Sequence, residues 1–137
     1  MSEETERLKK RATKFALDVC AILSLLPREE PGPTIRRQIA KSSTGMAMNY
    51  CASCRARSHA EYTAKIGVVA EEADETQGWL EFIRDGKITV IRNLTSLISE
   101  STELSAIFSA SAGTARENER AKRQHRRTNR TLDDEEV

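Results

Sequence analysis

Apolar positions Leu8, Ala12, Phe15, Val19, Ile22, Leu23 and Leu26 recur mainly at steps of three and four, which puts them on one stripe of a long first helix. Ser2 is placed to cap it, with Glu3 and Glu4 in the first turn where the helix dipole favours negative charge, and Pro27 ends it. The stretch Pro27-Arg28-Glu29-Glu30-Pro31-Gly32-Pro33 concentrates breakers, so Thr34 is placed to cap a second helix running from about Ile35 to Arg57. Ile35, Ile39, Met46 and Tyr50 form its apolar side. Beside them lie the small residues Ala40, Thr44, Ala47, Cys51 and Cys54, which let another helix approach closely. Such an approach would offset the cost of Gly45 in a helix interior, about 1 kcal/mol relative to alanine.

Ser58-His59-Ala60-Glu61 has the form of a capping box and opens a third helix. Its stripe is Tyr62, Ile66, Val69, Ala73, Leu80 and Ile83, with Thr76 filling one place; Lys65, Glu72 and Trp79 make a second stripe that is ionic with an indole at its end. Asp85-Gly86 supplies a turn. Ile88, Ile91, Leu94, Leu97, Ile98, Leu104, Ile107 and Phe108 then mark a fourth helix that closes near Gly113 by glycine capping. After Thr114 the apolar period stops, so residues 114–137 read as a charged tail, disordered or a frayed helical extension, attached to a bundle formed by residues 1–113.

Composition narrows the fold rather than the function. A chain of 137 residues fits one domain, and aromatics at only 4% favour an aliphatic helical core over aromatic-rich strands. The same scarcity weakens any stacking platform for single-stranded nucleic acid. A formal net charge of +1 points to neither nucleic acid nor membrane, so only the distribution of charge could do so. Cys20, Cys51 and Cys54 form no even framework, which favours free thiols and a reducing cytoplasmic setting. The charged start lacks a secretory pattern, and no apolar run is long enough to span a bilayer.

Asn49-Tyr50, Ala52, Arg55-Ala56-Arg57-Ser58, Glu61, Lys65-Ile66-Gly67, Glu72-Ala73-Asp74-Glu75 and Trp79-Leu80-Glu81 resemble the signature of a bacterial family. Its members are four-helix bundles often encoded in intervening sequences of large-subunit ribosomal RNA genes. The resemblance covers roughly Phe15 to Ile107 and implies an up-down bundle that assembles into a ring, commonly a pentamer, with no enzymatic activity assigned. More distantly, the chain is similar to the accessory variability proteins of diversity-generating retroelements, basic pentameric barrels that bind a reverse transcriptase and nucleic acid. Gly45 stands where the family usually has serine and Cys51 where it often has arginine, which removes one cation from the second helix.

Four groups of residues could carry chemistry. Cys51-x-x-Cys54 with His59 suggests zinc or redox work, but four ligands are not at hand and the pair sits near a helix end, so small-residue packing is the favoured reading. Asn49 on an apolar face reads as a polar group tied to backbone or a charged neighbour that fixes helix register. Arg55, Arg57, Glu61, Lys65, Glu72, Asp74 and Glu75 contain paired carboxylates, yet neither His59 nor His125 has a glutamate three residues before it, the pattern that di-metal bundles use. Ion pairing between the second and third helices, or between subunits, is the expected role of those charges. Finally Lys122, Arg123, Arg126, Arg127 and Arg130 form a basic block able to touch phosphates, moderated by Glu117, Glu119 and the acidic terminus.

Together these readings predict an all-α, up-down four-helix bundle that oligomerises, without catalytic residues, metal or cofactor. Its polar seam or interface would comprise Asn49, Arg55, Arg57, Ser58, Glu61, Lys65, Glu72, Asp74, Glu75 and Trp79, the last as a core or interface anchor. Nucleic-acid contacts would come from Arg55, Arg57, Lys122, Arg123, Arg126 and Arg127. Expected partners are further copies of the chain and RNA, DNA or a nucleic-acid enzyme such as a reverse transcriptase, with no membrane. The alternative is a structural or protein-interaction module without nucleic acid.

Overall fold

The computed structural model describes residues 2–136; Met1 and Val137, the outer ends of the two expected segments, lie outside the described residues. Helix α1 spans Glu3–Ala21, α2 Gly32–Ser53, α3 His59–Asp85 and α4 Leu94–Glu135, with a single 3-10 turn at Leu23–Leu25 and no strand among the described residues. Consecutive helices pack against each other, and a lesser contact of α1 with α4 closes the bundle. Phe15, Val19, Ile35, Ile39, Met46, Ile66, Val69, Leu80, Ile83, Leu104 and Phe108 fill its centre.

Helix ends follow their caps. Ser2 Oγ accepts the Thr5 N–H at 3.1 Å, as its position predicts. The first helix stops at Ala21, short of Pro27, and passes into the 3-10 turn, whose carbonyls and those just after it are bonded from α2. Arg36 donates from Nε to the Leu23 carbonyl at 3.1 Å and from Nη2 to those of Leu26 at 3.1 Å and Pro27 at 3.4 Å. Gly32 is required in this turn, since an added Cβ would stand 1.8 Å from the Pro27 oxygen.

Both boundaries of α2 differ from expectation. It starts at Gly32, and Thr34 lies within its first turn, where its N–H and hydroxyl both donate to Glu30 Oε2 at 3.3 and 2.6 Å. It stops at Ser53, four residues before Arg57. Ser58 must adopt extended backbone, φ −147° and ψ 162°, for its Oγ to accept the Glu61 N–H at 3.0 Å, so the chain leaves the helix to reach that cap. The Glu61 carboxylate turns back to the Arg57 N–H at 3.2 Å rather than to Ser58 itself.

The fourth helix begins at Leu94, after a turn in which Lys87 takes φ 50° and Ile91 plugs the end of the core. It does not close at Gly113. No glycine has a positive φ, and the buried Ala112 and Ala115 hold this part of α4 against its neighbours, so the helix continues to Glu135. From Arg116 onward every described side chain is exposed except the half-buried Glu119.

Candidate nucleic-acid interface and the polar seam

The seam between α2 and α3 is built from hydroxyls rather than ion pairs. Thr76 Oγ1 lies 2.8 Å from Ser42 Oγ and 2.8 Å from the Glu72 carbonyl oxygen, and both residues are buried. Three residues along α2, Gly45 leaves room for the Glu72 carboxylate, whose Oε2 would stand 2.7 Å from an added Cβ. The close contact that accommodates Gly45 is therefore a side chain, not a helix backbone. Burial raises the Glu72 carboxyl above its ordinary value; the charges of Glu75 and Glu71 add to this and Lys41 opposes it.

The other expected members of the seam are dispersed. Among the described residues, no side-chain ion pair forms at Arg55, Arg57, Glu61, Lys65, Glu72, Asp74 or Glu75. Asp74 and Glu75 are exposed on the outer side of α3 and Lys65 is half-buried. Interhelical pairing of arginine with carboxylates instead joins α1 to α4, where Arg11 Nε donates to Glu100 Oε2 at 2.9 Å and Nη2 reaches Glu103 Oε2 at 2.7 Å. Asn49 is half-buried with no side-chain hydrogen bond, so it does not act as a register-fixing polar group within the chain. Trp79 packs on the core and meets Phe82 edge-on, ring centroids 5.7 Å apart.

Glu72 and His59 do not converge. His59 opens α3, and thirteen residues of helical rise, about 20 Å, separate it from Glu72. His59 faces α4 instead, with Nε2 3.3 Å from the Ala115 oxygen and 3.9 Å from Glu119 Oε1. Among the described residues no group of three His, Cys, Asp or Glu side chains is arranged to hold a metal ion. Cys54 caps the C-terminal end of α2, and all three cysteines are free and half-buried.

One end of the bundle is basic. The α2–α3 turn exposes Arg55 and Arg57, and at the same end α4 extends past the start of α3 carrying Arg116, Arg120, Lys122, Arg123, Arg126, Arg127 and Arg130, all exposed. An open groove of ≈ 340 Å³ lies between Ala60, Thr63 and Ala64 of α3 and Arg116, Arg120 and Arg123 of α4, with Glu119 also lining it. Residues 116–130 hold seven Lys or Arg against two Glu, whereas residues 1–115 balance fifteen against fifteen. The small net charge of the chain thus conceals a segregated one. Arg116 and Arg120 are missing from the block anticipated in the sequence; following the three-and-four step back from Arg123 toward the bundle finds them.

The model of the 23S rRNA-intervening sequence proteins matches residues 4–110. The chain belongs to that family. A crystal structure of an S23 ribosomal protein family member of unknown function from Bacteroides thetaiotaomicron is similar at 23% identity and a TM-score of 0.69, covering 80% of this chain and 97% of that one. This likeness supports the fold of the 23S rRNA-intervening sequence protein described above. No curated protein matches. The basic extension of α4 lies outside the span that the family shares. No helix among the described residues is long and apolar enough to cross a membrane.

Proposed function

We propose that this protein is a non-catalytic scaffold that self-associates through the outer face of α3 and presents its basic end to nucleic acid or to a nucleic-acid-processing protein such as a reverse transcriptase. The observation that carries the reading is the makeup of that face. Gly67 and Gly78 have nothing within 4 Å of an added Cβ, and Val68 and Phe82 are exposed beside them, Phe82 by 49%. Two helix-interior glycines cost about 1 kcal/mol each, and no contact within the chain explains them. A second copy packed on this face would bury Phe82 and use the space the glycines leave, as in the ring expected from the family resemblance.

The exposed arginines of the α2–α3 turn and of α4 support the nucleic-acid half of the reading. Light scattering over a range of concentrations tests self-association: the expected result is a multiple of the 15.3 kDa chain, and a concentration-independent monomer rejects it. Titration with RNA and DNA at several salt concentrations tests the second half. Affinity should fall steeply with salt, and absence of binding at low salt rejects it. A second reading, a protein-interaction module without nucleic acid, is favoured by the even charge balance of residues 1–115 and by the exposed Leu17 and Met48.

A further inference from the structure

The arginines of α4 are ordered on one side of the helix. Arg116, Arg120, Arg123, Arg127 and Arg130 follow steps of four, three, four and three, so they share a band about 80° wide that runs about 21 Å along the axis. All five are exposed, and only Arg120 has an acidic partner, Glu117 at 2.8 Å. Glu119 flanks the ridge near His59, and Asp134 stands in line one turn beyond it. No apolar stripe accompanies the ridge past Ala115, so packing within the chain does not account for its alignment.

We infer that this ridge lies along the phosphates of a B-form DNA duplex, an inference that rests on the nucleic-acid reading above and names its substrate class. Three physical features select that occupant. Guanidinium forks pair with phosphate oxygens in two-point geometry, and the aligned spacing of about 5 Å per turn offers several such forks to one backbone. A rod 10–12 Å across enters the major groove of B-DNA, about 12 Å wide, whereas the corresponding groove of A-form RNA is too narrow and deep. Finally, α4 has no Phe, Tyr or Trp after Phe108, and His125 stands on the side of the helix opposite the ridge, so the ridge lacks the rings on which single-stranded bases stack. At the ridge's inner end, Ala60, Thr63 and Ala64 of α3 are small and uncharged, which leaves the groove beside Arg116, Arg120 and Arg123 open to a strand.

Fluorescence anisotropy with the full chain decides the matter, using a 20-base-pair DNA duplex, an RNA duplex of matching sequence and a single DNA strand at several salt concentrations. Two triple variants remove equal charge: Arg123→Gln with Arg127→Gln and Arg130→Gln on the ridge, and Arg28→Gln with Arg37→Gln and Arg92→Gln off it, at or near the α1–α2 and α3–α4 connections. All six positions are exposed and glutamine is a good helix former, so helicity by circular dichroism should match the parent. The DNA duplex should bind tightest, and the ridge variant should lose at least tenfold in affinity and flatten the salt slope by about 2.7, as expected for three phosphate contacts. The off-ridge variant should lose less than threefold. Equal losses in both variants, or tighter binding of the RNA duplex or the single strand, overturn the ridge while leaving the broader nucleic-acid reading intact. Failure of every probe at low salt overturns both.

Discussion

Gly45 and Glu72 occupy one another's space: the carboxylate of α3 lies where a Cβ on α2 would be, 2.7 Å from its ideal position. Because the obstructing atoms are the far end of a flexible side chain, Gly45→Ala should cost little and recover part of the helix propensity that glycine forgoes. In the parent the net change should be below about 1 kcal/mol, and in a Glu72→Ala background the full gain of about 1 kcal/mol should appear. Urea denaturation of the four variants measures the coupling. Equal effects of Gly45→Ala in both backgrounds would mean that the carboxylate does not limit this contact.

The same carboxylate makes stability depend on pH. Burial raises the folded value of Glu72, so the folded chain favours its protonated form. That advantage is complete below the ordinary carboxylate range and is lost as pH rises through the raised value. At neutral pH the ionised group is a liability, and Glu72→Gln should stabilise the fold by less than about 1 kcal/mol after solvent screening. The gap should close as pH falls below the ordinary range, because both side chains are then neutral. Denaturation midpoints of the pair from pH 3 to pH 8 check the sign; a gap that widens in acid contradicts it.

Arg36 ties the second helix to the connection that follows the first. Its guanidinium reaches the carbonyls of Leu23, Leu26 and Pro27, which have few other partners once α1 ends at Ala21. Arg36→Ala should destabilise the protein by about 2–3 kcal/mol, since charge-assisted hydrogen bonds are lost and half-buried carbonyls are left to water. Arg36→Lys should recover only part, because a point charge cannot bridge carbonyls in three directions. Thermal denaturation orders the three proteins, and a harmless alanine would show that the turn holds without the arginine.

Thr76 and Ser42 form the dry polar contact of the α2–α3 seam. Thr76→Val keeps the volume and removes the hydroxyl, so it should cost about 1 kcal/mol, and the double change with Ser42→Ala should cost less than the sum of the two. Additive losses in a denaturation cycle would show that the two hydroxyls do not support one another.

Much of this fold is legible in the sequence because long apolar stripes outweigh local ambiguity. The stripe of α3, from Ile66 through Thr76 to Ile83, is buried at each position, and the caps at Ser2 and Ser58 form as their residue types require. The boundaries that were missed depend on contacts distant in sequence. Arg36 reaches back from α2 to the carbonyls of the turn that follows α1, Glu30 takes Thr34 from its cap position, and burial of Ala112 and Ala115 carries α4 through Gly113. The seam was half legible. Opposite charges at helical spacing suggest ion pairs, but spacing does not report the rotation of two helices about their axes, and that rotation brings Ser42 to Thr76 while leaving Asp74 and Glu75 facing outward.

Gly78 offers the sharpest test of what covers α3. In the single chain nothing lies within 4 Å of an added Cβ there, so Gly78→Ala should stabilise an isolated bundle by about 1 kcal/mol through helix propensity alone. If a neighbouring copy packs against this face, the added methyl group meets it, and overpacking of a close contact costs about 1–3 kcal/mol. The variant should then be more stable to urea at concentrations where the chain is dissociated and should dissociate at higher protein concentration than the parent. Sedimentation velocity alongside denaturation separates the two effects. A variant that gains stability with an unchanged assembly mass at every concentration would remove the α3 face from the interface, and self-association would have to use the exposed Leu17 and Met48 instead.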